Sequence, residues 1–217
     1  MALILTLGGF ASSATTAAAA TAPATAGSAE PSASVGVFSP QNQVESLNNA
    51  LLATMKAGAA AESTAGRYRK LAPVVDKVFD LRAMTAFAVG PKWSGFSADE
   101  QAAAIAGFTR LTVASYVHNF NAFGGERFDT DPNVVTRGVD KVVQTRLIAP
   151  GKEPVALNYR MRNAANAWKI IDVYYGAISQ LTIRRSDFAA PLAAGGARGL
   201  IAHLNSLSDD LSKPSGQ

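Results

Sequence analysis

The spacing of apolar residues divides the chain into helices, then strands, then helices again. Ser39-Pro40 reads as an N-cap followed by proline at the first helical position. Val44, Leu47, Leu51 and Met55 then recur at helical spacing as one narrow stripe, which ends near Gly58. A second helix is predicted from about Ser63 through Val75, with Leu71, Val74 and Val78 on its apolar side and a kink or restart at Pro73. Phe79 to Val89 is a third, shorter helical piece, stopped by Gly90-Pro91.

Ser97-Ala98-Asp99-Glu100 is a capping box and opens the most telling helix. At about 100° per residue, Ile105, Phe108, Leu111, Val113, Tyr116, Val117 and Phe120 spread over roughly 240° of its circumference. A surface helix needs only an apolar stripe of about 100°. A helix of this kind has to be covered on both sides, by a sheet on one and by helices or a ligand on the other. An ordinary central core helix is the plain alternative.

After Gly124-Gly125 the pattern changes to strands. Arg127 to Thr136, Val139 to Ala149 and Val155 to Met161 are β-rich runs separated by Asp-Pro, Gly and Pro-Gly signals. In the third, Val155, Leu157, Tyr159 and Met161 alternate with Ala156, Asn158 and Arg160, giving one apolar and one wet face. Asn163 to Ala167 is a turn and Trp168 to Tyr175 a fourth strand. Hairpin-length connections imply an antiparallel, strongly curved sheet. Helices resume from Ser179 to Leu211, with Ser186 or Asp187 as an internal cap and Gly195, Gly196 and Gly199 as turn glycines. This order predicts an α+β fold, a half-open cone of sheet closed by helices.

The N-terminal segment does not fit that scheme. Ala2 to Ala11 is an apolar run of about ten residues, the size of a signal-peptide core and too short to span a bilayer. Residues 1–26 are therefore read as a partial or complete signal peptide, with possible cleavage after the alanines near Ala19 or Ala26. The first basic residue is Lys56, so the given start is read as lying inside a longer leader. Residues 27–39 are a flexible linker rich in small residues and proline, 40–213 one domain, and 214–217 a tail. A signal peptide sends the protein to the periplasm.

The formal net charge is +4, but it is not blocked. Arg67, Arg69 and Lys70 form one small cluster and Arg184-Arg185 another, too short for a nucleic-acid arm and suited to solvated faces or anionic headgroups. There is no cysteine, which excludes disulfides, thiolate catalysis and Cys-type metal sites. His118 and His203 each stand alone on a predicted helix, and no phosphate loop, nucleophile elbow or metal-ligand spacing occurs. Neither a catalytic residue, a metal nor a cofactor is assigned. One enzymatic alternative stays open: Asp172, flanked by Ile171 and Val173, as a buried carboxylate with Tyr159 or Tyr174 beside it, in an isomerase- or hydrolase-like pocket. A partner-binding module with a filled core is a third reading.

The C-terminal third carries a resemblance. Trp168-Lys-Ile-Ile-Asp-Val-Tyr-Tyr-Gly-Ala-Ile-Ser-Gln-Leu181 is followed by Arg184-Arg185-Ser186-Asp187-Phe188, Gly195-Gly196 and Leu200-Ile201-Ala202-His203-Leu204. This ordered set, with Phe79-Asp80-Leu81, Met84, Gly90, Trp93 and the Tyr116 helix upstream, resembles the MlaC-type periplasmic lipid-binding proteins. These are also called toluene-tolerance or ABC-transporter auxiliary proteins. Within them the chain is most similar to the hopanoid-associated branch, HpnM. The resemblance spans roughly Val44 to Leu211 and implies an NTF2-like fold with a lipid cavity between curved sheet and helices. It implies a phospholipid or hopanoid cargo, an inner-membrane lipid transporter complex or exporter and an outer-membrane component as partners, and no bond-making chemistry. Ile178-Ser179-Gln180 departs from the Val-Ser-Leu of phospholipid-carrying members, which leaves both lipids open.

On that basis the expected pool of cavity-lining residues is Phe79, Met84, Phe87, Trp93, Phe108, Leu111, Tyr116, Phe120, Leu157, Tyr159 and Ile170, with core packing the alternative for each. Arg184 or Arg185 is expected near the mouth, against a headgroup or a membrane partner.

Overall fold

A computed structural model describes residues 39–213. The leader, most of the linker and the tail expected from the sequence lie outside the described residues.

Four helices come first: α1 (Pro40–Ala61), α2 (Thr64–Val78), α3 (Leu81–Val89) and α4 (Ala98–Asn119), with a 3₁₀ turn at Gly90–Gly95. Each start has a side-chain cap. The Ser39 hydroxyl accepts the Asn42 N–H, Ser63 that of Gly66, and Asp80 that of Ala83. Ser97 and Glu100 form the reciprocal capping box the sequence announces. Gly58, at φ +57°, breaks α1 one turn before its end, where only glycine adopts that backbone cheaply. The break expected at Pro73 does not occur, and α2 runs through it to Val78. Phe79 is not helical. It closes α2 and bridges to Ile170 of the sheet, so the third helix starts two residues later than predicted.

The sheet contains β1 (Arg127–Thr130), β2 (Val135–Arg137), β3 (Asp140–Ile148), β4 (Val155–Ala164), β5 (Ala167–Tyr175) and β6 (Ile178–Ser179). The order is β1-β3-β4-β5-β6, and every pairing between these strands is antiparallel. The single run expected over 127–136 is two strands. β1 pairs with the far half of β3 and β2 with its first residues. Asp131-Pro132 separates them, because proline cannot donate to the ladder and the Asp131 carboxylate turns the chain by accepting the Asn133 N–H at 2.8 Å. A register shift between Arg160 and Met161 adds local twist, so the sheet is open and curved.

The chain closes with α5 (Gln180–Ser212), capped by the Ser179 hydroxyl. The internal cap expected at Ser186 or Asp187 is absent, and the helix bends instead at Gly196, φ +58°. Gly199 is not a turn glycine. A Cβ there would sit 2.5 Å from the Pro191 carbonyl oxygen, which the bend brings back against it.

One apolar cluster joins all layers, from Val44, Leu47 and Leu51 of α1 through Phe108, Leu111 and Val117 of α4 to Tyr159, Met161 and Ile170 of the sheet and Phe188 and Leu200 of α5. As the wide apolar arc requires, α4 is covered on several sides, and α5 makes its most extensive helical neighbour. The buried Arg67 donates to the Val117 carbonyl at 3.0 Å and so ties α2 to the last turn of α4, where carbonyls lack helical partners.

Candidate functional site

Between the concave face of the sheet and the helices lies a cavity of about 120 Å³. Its floor is two cross-strand pairs, Leu157 with Tyr175 and Tyr159 with Val173, on β4 and β5. Its roof is α4, which contributes Phe108, Thr112, Ser115, Tyr116, Asn119 and Phe120. Phe79 and Met84 close one end, and Gln180, Leu181 and Arg184 of α5 close another.

The aromatic rings form a connected wall. Phe79 and Tyr116 have ring centroids 6.0 Å apart, and Tyr116 and Phe120 5.9 Å. Burial pushes the Tyr116 phenol well above its ordinary range and does the same to Tyr159, aided there by the neighbouring Tyr116. Both hydroxyls therefore stay neutral at any physiological pH.

The polar lining is confined to two elements. Thr112, Ser115 and Asn119 stand at i, i+3 and i+7 on one face of α4. Thr112 returns its hydroxyl to the Phe108 carbonyl at 2.8 Å. The buried Ser115 Oγ has no hydrogen-bond partner among the described residues. Arg184 has a side chain 23% exposed, and burial lowers its pKa from the usual arginine value, opposed by Asp187 at 3.5 Å. It is a largely desolvated cation at the edge of an apolar space.

Of the residues expected from the sequence, Phe79, Met84, Phe108, Tyr116, Phe120, Leu157, Tyr159 and Arg184 border the cavity. Leu111 and Ile170 are buried in the core instead. Trp93 packs against Phe96 at 5.8 Å. Phe87 is 48% exposed on the outer surface, and the Arg185 guanidinium lies over its ring at 5.3 Å, so the Arg184-Arg185 pair splits between inside and outside.

Val173 and Tyr175 went unpredicted, although their register opposite Tyr159 and Leu157 follows once the hairpin is drawn. Thr112, Ser115 and Asn119 are not among the large apolar positions that mark α4 in the sequence, although their i, i+3, i+7 spacing is legible there. Gln180 and Leu181 carried no signal of their own.

Asp172 and Tyr174 do not border this cavity. The Asp172 carboxylate is buried and accepts three hydrogen bonds, from the Val173 and Leu181 N–H groups and the Ser179 hydroxyl. Tyr174 lies with Arg160 and Asn158 in a polar groove on the other face of the sheet. The arrangement can enclose a nonpolar guest and present one cation and a few hydroxyl and amide groups to its polar end.

A family model described as "MlaC protein" matches residues 45–206. The fold is also similar to that of the phospholipid-binding protein from Ralstonia solanacearum, solved in complex with a phospholipid. The two sequences are 26% identical, the TM-score is 0.66, and the match covers 80% of this chain and 98% of that one. No curated protein matches.

Proposed function

The chain belongs to the MlaC protein family, and from that premise we propose that it is a periplasmic carrier that holds a phospholipid by its hydrocarbon part in the cavity under α4. The observation that carries this reading is an apolar space, walled by Phe79, Met84, Phe108, Phe120 and Leu157, that the chain's own side chains leave unfilled. The phospholipid bound by the similar Ralstonia protein supports the choice of cargo.

The physical task is transfer through water. An unescorted lipid exposes several hundred Å² of apolar surface at about 25 cal/mol per Å², a barrier on the order of 10 kcal/mol. A carrier lowers it by covering that surface, with no bond made or broken. As it stands, the cavity is comparable to the dry protein cavities of about 150 Å³ that accept a benzene-sized guest. Loading a whole lipid therefore involves side-chain movement along the cavity walls. Arg184 meets the phosphate, because a desolvated guanidinium gains most from a bidentate anion. Inner- and outer-membrane components hand the lipid on and receive it.

Protein purified from a bacterial periplasm and examined by native mass spectrometry, with lipid extraction in parallel, tests the reading. The expected result is one phospholipid per chain. A hopanoid in its place would shift the cargo to that of the hopanoid-associated branch. A chain that carries neither, and takes up neither from vesicles after delipidation, would remove the carrier reading.

A further inference from the structure

The sheet has a second working face. Side chains alternate along a strand, so the residues between the buried Leu157, Tyr159 and Met161 of β4 point away from the helices. There they form part of a polar groove of about 440 Å³. Gln144, Asn158 and Tyr174 stand directly opposite one another on β3, β4 and β5 and make its floor. Arg160, two residues on from Asn158, and Arg137 of β2 flank that row, and none of the lining residues is a carboxylate.

The basic side of the groove is held in place from beneath. Asp140 is the cross-strand partner of Arg137 on one side and of Arg162 on the other. Its carboxylate is 1% exposed and accepts hydrogen bonds from both Arg160 and Arg162. One negative charge thus meets three positive ones, and the negative one is hidden from water. Arg137 is exposed and pairs with no acid among the described residues. Tied to Asp140, the Arg160 guanidinium is fixed before a ligand arrives, so binding an anion costs little further rotamer entropy. The other acids of this face lie toward β1, where Asp129 pairs with Arg146 at 2.6 Å and Asp131 caps its own turn. The attraction for an anion is therefore confined to the Arg137 and Arg160 side.

We propose that this groove docks an extended acidic segment of a partner protein, with carboxylates on Arg137 and Arg160 and backbone on the Gln144 and Asn158 amides. Charge complementarity selects the acid, because a guanidinium takes a carboxylate through two parallel hydrogen bonds. The amides select a peptide. A carboxamide presents an acceptor beside its donors, which matches the C=O and N–H of an extended chain, and neither Gln144 nor Asn158 spends its side chain on another described residue. The floor crosses three strands, about 10 Å, the span of three extended residues. A neutral sugar would use the amides and leave both guanidiniums without a counter-charge. The inference goes beyond the carrier reading and does not depend on it, since the groove and the cavity lie on opposite faces of one sheet.

The test uses the full chain, nitrogen-labelled for NMR, and three probes. These are a blocked Glu-Thr-Glu-Thr-Glu peptide, whose carboxylates fall on one side of a strand, its counterpart with glutamine for glutamate, and a neutral chitin trisaccharide. The glutamate peptide should shift the side-chain amide signals of Gln144 and Asn158 and the Gly176 N–H, saturably. At low salt it should bind at least about tenfold tighter than the glutamine peptide. Arg137→Gln should weaken it about threefold with the urea midpoint unchanged, because the residue is exposed and unpaired.

Equal affinity for the two peptides overturns the proposal, and that comparison is made on the unaltered chain, whatever the variant does to folding. Shifts spread equally over Arg69, Lys70 and Arg198 also overturn it, since they would report general surface charge. Tighter binding of the trisaccharide than of the acidic peptide would assign the groove to a glycan and overturn it as well.

Discussion

The Asp172 carboxylate accepts the backbone N–H of Leu181 at 3.2 Å, joining the middle of β5 to the first turn of α5. The same oxygen accepts the Val173 N–H at 2.8 Å, and the other accepts the Ser179 hydroxyl at 2.7 Å. An anion at a helix N-terminus satisfies donors that have no helical partner and faces the positive end of the dipole. Asp172→Ala is therefore expected to lower stability by about 1–2 kcal/mol, read as the urea midpoint, while lipid retention in the folded fraction is unchanged. Loss of a turnover with stability intact would instead favour a catalytic role for this carboxylate.

Asp140 is buried at the start of β3, and two arginines of the neighbouring strand converge on it. Arg162 donates to both its oxygens at 2.6 and 2.9 Å, and Arg160 donates at 2.7 Å. Arg162 is the largest influence holding the carboxyl below its ordinary range, followed by Arg160, with burial working against them. A depressed carboxylate pKa stabilises the fold fully above the unfolded value of about 4, and that contribution is lost as pH falls through the folded value. Urea midpoints should thus decline as pH falls below about 4, and Asp140→Asn should flatten that part of the profile. At neutral pH the same variant should cost about 1–3 kcal/mol, moderated because both arginines keep one flank in water.

The helices were legible because caps and apolar spacing are local. Ser39-Pro40 and Ser97 through Glu100 each mark a start to within one residue. The sheet was legible through the alternation from Leu157 to Met161. The failures were tertiary. A helix ran through Pro73 because its flanks pack on α1 and α4, and packing can offset one lost hydrogen bond. Nothing near Ser186 told that α5 would bend at Gly196. Within the site, large apolar residues were found where they face the sheet, but Leu111 and Phe108 look alike in sequence. Only the direction in which α4 is rolled puts Phe108 at the cavity and Leu111 in the core.

Gly199 tests that bend. A Cβ at this position would meet a backbone oxygen, which cannot swing aside as a side chain does. Gly199→Ala should therefore cost about 2–3 kcal/mol despite the better helix propensity of alanine, seen as a lower thermal or urea midpoint. Gly195→Ala, where a Cβ would meet nothing within 4 Å, is the control and should change stability little. Equal effects of the two would mean that Pro191 and Gly199 do not approach as described.

The two neighbouring arginines of α5 supply the sharpest contrast in the site. Arg184 borders the cavity with most of its side chain out of water, and its nearest anion, Asp187, is 3.5 Å away, too far for a tight ion pair. Arg185 lies outside, over the Phe87 ring. A charge that has already lost much of its hydration gains more from a phosphate than an exposed one does, and that gain is little screened by salt. Arg184→Met should weaken phosphatidylglycerol binding about tenfold in a competition read by native mass spectrometry. Binding of a phosphate-free hopanoid should change by less than about threefold, because the replacement keeps the apolar stem. Arg185→Met should leave both unchanged. If the two variants behave alike, the mouth of the cavity attracts lipid through general surface charge, and the division of this arginine pair into an inner and an outer member has no functional meaning.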